Sequence, residues 1–191
     1  MYPLAKRTID VCVSAVALLA LSPLLLVISL FVLATLGRPV LFRQTRPGLG
    51  GRAFSMVKFR TMLDSTDRDG RPLDDAVRLT RVGKALRATS LDELPELWNV
   101  LKGEMSLIGP RPERPQLEHD LERQIPHYRK RHWMRPGLSG WAQVCAPYAS
   151  SVEDSDLKLS YDLYYLRHFS TWLDFVILFR TVKTVLKATG R

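Results

Sequence analysis

Cysteine is scarce: Cys12 and Cys145 are the two in the chain. Two thiols cannot build a disulfide framework, and Cys12 lies inside an apolar run, so both read as free thiols in a reducing compartment. His119, His127, His132 and His168 show no metal-ligand spacing with the cysteines, which argues against a zinc site. No Gly-x-x-x-x-Gly-Lys-Ser/Thr loop is present, so an ordinary ATPase or kinase is not indicated. Internal repeats, low-complexity tracts and linkers are also missing. Charge is absent from Val11 to Gly37, a run of 27 residues.

The 191 residues suit one domain. A hydrophobic share of 46% with 25% charged residues excludes disordered and collagen-like chains. Lys and Arg total 28 against 19 Asp and Glu, a net charge of +9. That excess implies an anionic partner: nucleic acid, an anionic membrane or a phosphorylated small molecule.

As a straight helix the uncharged run would measure roughly 40 Å, against about 30 Å of hydrocarbon. It is too long for a signal peptide, and Leu36-Gly-Arg-Pro39 is not a cleavage site. A single span is one reading. The other is a re-entrant helix broken near its middle at Ser22-Pro23, because proline removes a helical hydrogen bond and crowds the carbonyl four residues earlier. The Ser22 hydroxyl can take up part of the freed polarity. Lys6 and Arg7 before the run, and Arg38, Arg43 and Arg46 after it, favour both ends staying cytoplasmic. The residues alone leave both readings open.

Beyond residue 38, two β-rich runs, 39–45 and 52–60, flank Pro47-Gly-Leu-Gly-Gly51 and read as a hairpin, with Lys58 and Arg60 on one face. Residues 64–75 read as a loop, with Asp69-Gly70 and Pro72 as turn signals. Helices are expected over 75–87, 91–102, 117–131, 154–168 and 171–188. The last carries Trp172 to Phe179 followed by Arg180, Lys183 and Lys187. It suits either a helix lying in a membrane interface on anionic lipids or a core helix with a solvated end.

The densest chemistry is Ser90-Leu-Asp-Glu-Leu-Pro-Glu96. One reading is structural: Ser90 and Glu93 have capping-box spacing, and acids suit the first turn of a helix. The other uses the same physics, since a carboxylate held as the anion at a helix start can act as nucleophile or metal ligand. Arg81, Lys84 and Arg87 precede the pair, and Lys102 and Arg111 follow it. Acids among cations suit phosphoryl transfer. On charge and anchor alone, a non-catalytic membrane-anchored anion-binding protein is the rival.

Lys58-Phe-Arg-Thr-Met62, Thr89 to Leu101, Met105-Ser-Leu-Ile-Gly-Pro-Arg-Pro112, Arg135-Pro-Gly-Leu-Ser-Gly-Trp-Ala-Gln-Val144 and Tyr161-Asp-Leu-Tyr-Tyr-Leu166 resemble the signatures of bacterial sugar transferases, the monotopic polyprenyl-phosphate phosphoglycosyl transferases. The resemblance runs from Lys6 to about Lys187. It implies an α+β, mostly helical single domain with a short β-hairpin, interfacial amphipathic helices and a re-entrant membrane helix over 1–37 broken at Ser22-Pro23, with the catalytic region over 38–191. It implies a catalytic Asp92-Glu93 pair holding Mg²⁺, and transfer of a sugar 1-phosphate from a UDP-sugar to undecaprenyl phosphate with release of UMP. Such a step starts an exopolysaccharide or O-antigen-type glycan at the cytoplasmic face of the bacterial inner membrane. Arg87, Arg111, Lys58 and Arg60 are then the phosphate-binding candidates, and Asp162 matches a further functional acid. No nucleic-acid partner is expected, and a homodimer is allowed. Cys145-Ala-Pro-Tyr148 departs from the Asn-Gly that follows this motif in many members, which bears on sugar identity.

Overall fold

The computed structural model describes residues 4–67, 69–71, 73–146 and 151–186. Pro72, Pro147, Tyr148 and the expected helix end at Lys187 and Ala188 lie outside them. The chain is mostly helical with two small sheets.

Helix α1 (Leu4–Ala20) is followed by α2 (Ser22–Leu36), and the two are bent by 63°. The local chemistry accounts for the bend. Pro23 has no N–H for the Leu19 carbonyl, and the Ser22 Oγ donates to that same carbonyl at 2.7 Å. Among the described residues no single helix is long and apolar enough to cross a membrane.

Both helices are fastened to the rest of the chain. Helix α1 buries a polar stripe, Lys6, Asp10 and Ser14, and leaves Val13, Val16 and Leu19 exposed. Helix α2 buries Ile28, Val32 and Leu36 beside Phe59 and Leu86, so one apolar cluster crosses position 37. Burial of five such side chains contributes roughly 1.5–3 kcal/mol each before entropy is subtracted.

Strands β1 (Leu41–Pro47) and β2 (Ala53–Phe59) pair antiparallel, Leu41 with Phe59 through Pro47 with Ala53, around the expected glycine turn. The helix expected over 75–87 is two, α3 (Asp75–Arg78) and α4 (Arg81–Ala88). Thr80 separates them because its Oγ1 caps α4, accepting from the Gly83 N–H at 3.0 Å. Helix α5 (Glu96–Lys102) and strand β3 (Ser106–Ile108) follow. The helix expected over 117–131 stops early: α6 covers Pro115–Gln124 and a 3₁₀ turn covers Tyr128–Trp133, with Pro126 between them. Strand β4 (Gly137–Ser139), α7 (Trp141–Cys145), α8 (Val152–His168) and α9 (Thr171–Leu186) complete the described chain. The capping box of this protein sits at α8, where Ser151 and Asp154 bond reciprocally.

Strands β3 and β4 run parallel, Ser106 beside Gly137 and Ile108 beside Ser139. Glycine is required here by close approach. A Cβ on Gly137 would lie 2.1 Å from the Gly109 nitrogen, and one on Gly109 would lie 2.3 Å from the Arg135 carbonyl. Two residues after Gly109 comes Arg111, so this glycine-on-glycine contact sets where the arginine emerges. Gly137→Ala should destabilise the fold by about 2–4 kcal/mol, since backbone rather than a flexible side chain would have to move. Urea unfolding would read this as a lower midpoint; an unchanged midpoint would mean that the strands can separate without cost.

Candidate active site

The backbone at the acidic pair is not the α-helical start the spacing suggests. Ser90 is left-handed (φ 55) and caps nothing with its side chain, and Leu91–Glu93 form one 3₁₀ turn. Pro95 supplies the reason. It cannot donate to the Leu91 carbonyl, so the Leu94 N–H does so at 3.4 Å, and the chain tightens before α5 begins. Asp92 and Glu93 therefore sit in a turn wedged between α4 and α5, with Asp92 buried at 7% exposure.

Lys58 reaches this turn from β2. Asn99 on α5 fixes the approach: its side chain accepts from the Val57 N–H at 3.1 Å and donates to the Ser55 carbonyl at 2.7 Å, so α5 pairs with the strand's free edge. The far end of α5 is held by Arg7, which donates to the Val100 and Leu101 carbonyls at 2.6 and 2.7 Å, a cation at a helix C-terminus. Lys58 Nζ then lies 2.7 Å from Glu93 Oε1 and 3.0 Å from Glu96 Oε1. Arg111 closes on Glu93 from the other side as a two-pronged donor, Nη1 to Oε2 at 3.2 Å and Nη2 to Oε1.

These contacts divide the three acids. Burial pushes Asp92 up, reinforced by the Glu93 charge and opposed by Lys58 and Arg87. The expected stabilisation of the Asp92 anion by a helix start is thus overturned: no α-helix begins there, and burial acts in the opposite sense. Burial would also raise Glu93, but Arg111 and Lys58 hold it down to about 2. Glu96, 1% exposed, is pushed up to about 7 by burial, with Lys58 opposing and Glu93 assisting. Lys58 faces Glu96 Oε1, and Glu96 Oε2 accepts no hydrogen bond.

The candidate residues do not all converge. Lys58, Asp92, Glu93 and Arg111 meet. Arg87 donates to the Thr61 hydroxyl at 3.1 Å, and its charge acts on Asp92. Arg60 goes elsewhere, because β2 ends at Phe59. Its guanidinium donates to the Leu36, Arg38 and Met62 carbonyls and to Asp64 Oδ2, clamping the segment that leaves α2. Asp162 lies behind Arg111. It pairs with Arg131 at 2.8 Å, and Arg131 donates to the Arg111 carbonyl, also at 2.8 Å. Arg131 and Glu96 were not singled out from the residues. Glu96 carries a signal, standing four residues from Asp92 in the stretch expected as a helix; Arg131 carries none.

For a divalent cation, the hard donors here are the Asp92 and Glu93 oxygens, the type of ligand Mg²⁺ takes, and Glu93 becomes available to one only as Lys58 and Arg111 turn away from it.

A family model described as bacterial sugar transferase matches residues 1–188. The chain belongs to this family. It is 43% identical over all of its length to the UDP-N-acetylgalactosamine-undecaprenyl-phosphate N-acetylgalactosaminephosphotransferase of Aeromonas hydrophila, covering 45% of that protein. It is 42% identical over 96% of its length to the UDP-glucose:undecaprenyl-phosphate glucose-1-phosphate transferase of Caulobacter vibrioides, covering 70% of it. Another relative is the uncharacterized sugar transferase EpsL of Bacillus subtilis, 42% identical over 97% of this chain and 89% of that one. The chain thus spans less than half the length of some relatives and most of the length of others.

Glu96 generates a pH prediction. Between its ordinary 4.5 and about 7, the native state keeps a proton that the unfolded chain has released. Stability on this account falls as pH rises through that window. Glu96→Gln should flatten that part of the profile when urea midpoints are compared at pH 5 and pH 7.5. A slope identical to the parent's would place the proton elsewhere.

Proposed function

We propose that this protein transfers a sugar 1-phosphate from a UDP-sugar to undecaprenyl phosphate, releasing UMP, through a phosphosugar held covalently on Asp92. The observation that carries the reading is the buried Asp92 beside a Glu93 gripped by Lys58 and Arg111, in a chain of this family. Support for the reaction class comes from the names of the Aeromonas and Caulobacter relatives, both undecaprenyl-phosphate sugar phosphotransferases. Their sugars differ, so the donor is a matter for a panel of UDP-sugars.

In this reading an Asp92 carboxylate oxygen attacks the sugar-linked phosphorus, and the bond to the bridging oxygen breaks with its electron pair leaving on UMP. An oxygen of undecaprenyl phosphate then attacks the same phosphorus and Asp92 leaves as carboxylate. Dividing the transfer in two keeps two phosphate anions from occupying one site together. Mg²⁺, held by Glu93 with Asp92, would neutralise charge on the diphosphate. Lys58 and Arg111 are then the donors free to turn to phosphate oxygens, and Arg131 keeps Arg111 aimed through its carbonyl. Burial leaves the Asp92 oxygen poorly solvated, which favours attack once the proton is lost.

The exposed apolar residues support a membrane-associated enzyme, and Arg38, Arg43 and Arg46 after the apolar run support placement at the cytoplasmic face. Leu26, Val27, Leu30 and Phe31 on α2, and Trp172, Phe175 and Phe179 on α9, are all more than half exposed. The 63° bend at Ser22-Pro23 is compatible with the re-entrant path of this reading, in which an acceptor confined to the bilayer meets a soluble donor. Exopolysaccharide or O-antigen-type assembly is the pathway this chemistry would begin.

Two tests follow. With donor and Mg²⁺ but no acceptor, the enzyme should release up to one equivalent of UMP and gain the mass of one sugar phosphate, removable by hydroxylamine. Asp92→Asn should abolish both with an unchanged far-UV spectrum. Intersecting rather than parallel double-reciprocal lines, with no adduct, would mean direct transfer, and no UMP release from any donor would favour a non-catalytic anion-binding protein. For topology, cysteines placed at Ala5 and Arg43 in a Cys12→Ser, Cys145→Ser background should both resist an impermeant thiol reagent in intact cells. Replacing Ser22 with Leu and Pro23 with Ala should expose Ala5 in some molecules; labelling of Ala5 without those changes would contradict the re-entrant path.

A further inference from the structure

Away from the acidic pair, three potential ligands converge from two elements. Glu118 and Glu122 are one helical turn apart on α6, which places both on one face. His132 comes from the 3₁₀ turn Tyr128–Trp133, and its Nε2 lies 2.5 Å from Glu118 Oε1. One ligand atom from each of the three lies within 4.8 Å of the others. Glu118 is 5% exposed, and the other two are half-buried. We propose that Glu118, Glu122 and His132 form a binding site for a divalent transition-metal ion of the zinc class, distinct from the Asp92-Glu93 pair.

The donor chemistry selects the ion. One imidazole nitrogen with two carboxylates suits Zn²⁺ and its neighbours, whereas Mg²⁺ prefers oxygen donors and retains water. Ligand atoms on one tetrahedral Zn²⁺ lie roughly 3.3 Å apart, so the Glu118–His132 pair would open by about 0.8 Å and the wider pairs would close by up to about 1.5 Å. The present partners permit it. Glu122 is held by Arg129 at 3.4 Å, and that arginine is 75% exposed and can swing into solvent. Arg131, buried on the same cavity, is committed to Asp162, Tyr128 and the Arg111 carbonyl. Two carboxylates and a neutral imidazole would balance the ion's charge. Cysteine-based spacing does not reveal this site because none of its ligands is a cysteine and two are carboxylates.

Position gives the site a consequence. His132 follows Arg131 directly, and Glu118 and His132 line a small cavity with Arg111, Arg131 and Pro110. An ion here would tie α6 to the turn that carries Arg131, and so brace the backbone from which Arg111 reaches Glu93.

The test uses the full chain in detergent with millimolar Mg²⁺ present to occupy the acidic pair. Equilibrium dialysis against Zn²⁺ followed by metal analysis should give one equivalent per chain. Glu122→Gln and His132→Gln should each weaken binding about tenfold or more. Glu122→Gln changes a half-buried residue, so its far-UV spectrum and metal-free melting temperature should match the parent's. Zn²⁺ should raise the melting temperature of the parent and not that of either variant. It should also protect His132 from diethyl pyrocarbonate while leaving His119 and His168 reactive. Absence of a stoichiometric ion, or binding undiminished in both variants, would overturn the proposal.

Discussion

Glu93 is a carboxylate taken largely out of water, and a charge in that position persists only if cations come to it. Lys58 and Arg111 do so from opposite sides, and much of the fold is needed to bring them. Lys58 arrives because a strand edge is pinned to α5 by Asn99. Arg111 arrives because Gly109, just after β3, and Gly137 of β4 approach too closely for either to carry a Cβ, and because Arg131, paired with Asp162, holds its carbonyl from behind. The same two cations divide the neighbouring acids into one always ionised, Glu93, and two, Asp92 and Glu96, whose burial raises their proton affinity. Separation of acids by environment is what permits different roles for chemically similar groups.

The apolar N-terminal helices are part of this support. Arg7 caps the last carbonyls of α5, the Asp10 carboxylate accepts from the Leu107 N–H of β3 at 3.1 Å, and Lys6 pairs with Asp174 of α9, which also accepts from the Tyr165 hydroxyl. Helix α1 is therefore polar where it meets the protein and apolar where it does not, the reverse of a soluble surface helix. Anything that lifts α1 away would loosen α5 and, with it, the turn bearing Asp92 and Glu93.

Where local chemistry decided the structure, the residues were readable. The Pro-Gly-Leu-Gly-Gly turn produced the hairpin, and the Ser22-Pro23 break occurs with the serine hydroxyl on the orphaned carbonyl. Helices α8 and α9 lie close to the expected 154–168 and 171–188. Elsewhere they were not. Ser90 and Glu93 have the spacing of a cap, but Pro95 withdraws the amide that an α-turn needs. Strands β3 and β4 are three residues each, too short for any alternation to register, and they pair across the chain. Lys58 and Arg60 share a strand parity, yet the strand ends between them and their side chains part, one to the acids and one to the end of α2. Membership of the bacterial sugar transferase family was legible from the ordered motifs, whereas the importance of Arg131 and Glu96 needed the fold.

In the proposed reaction the Lys58 charge organises the acids for attack on a phosphate. The most direct measurement is single-turnover UMP release by Lys58→Met, with donor and Mg²⁺ and without acceptor, alongside Lys58→Arg. The account predicts that Lys58→Met keeps its far-UV spectrum and loses about a hundredfold or more of the burst rate, and that Lys58→Arg recovers part of it. A full-rate burst from a folded Lys58→Met protein would contradict it.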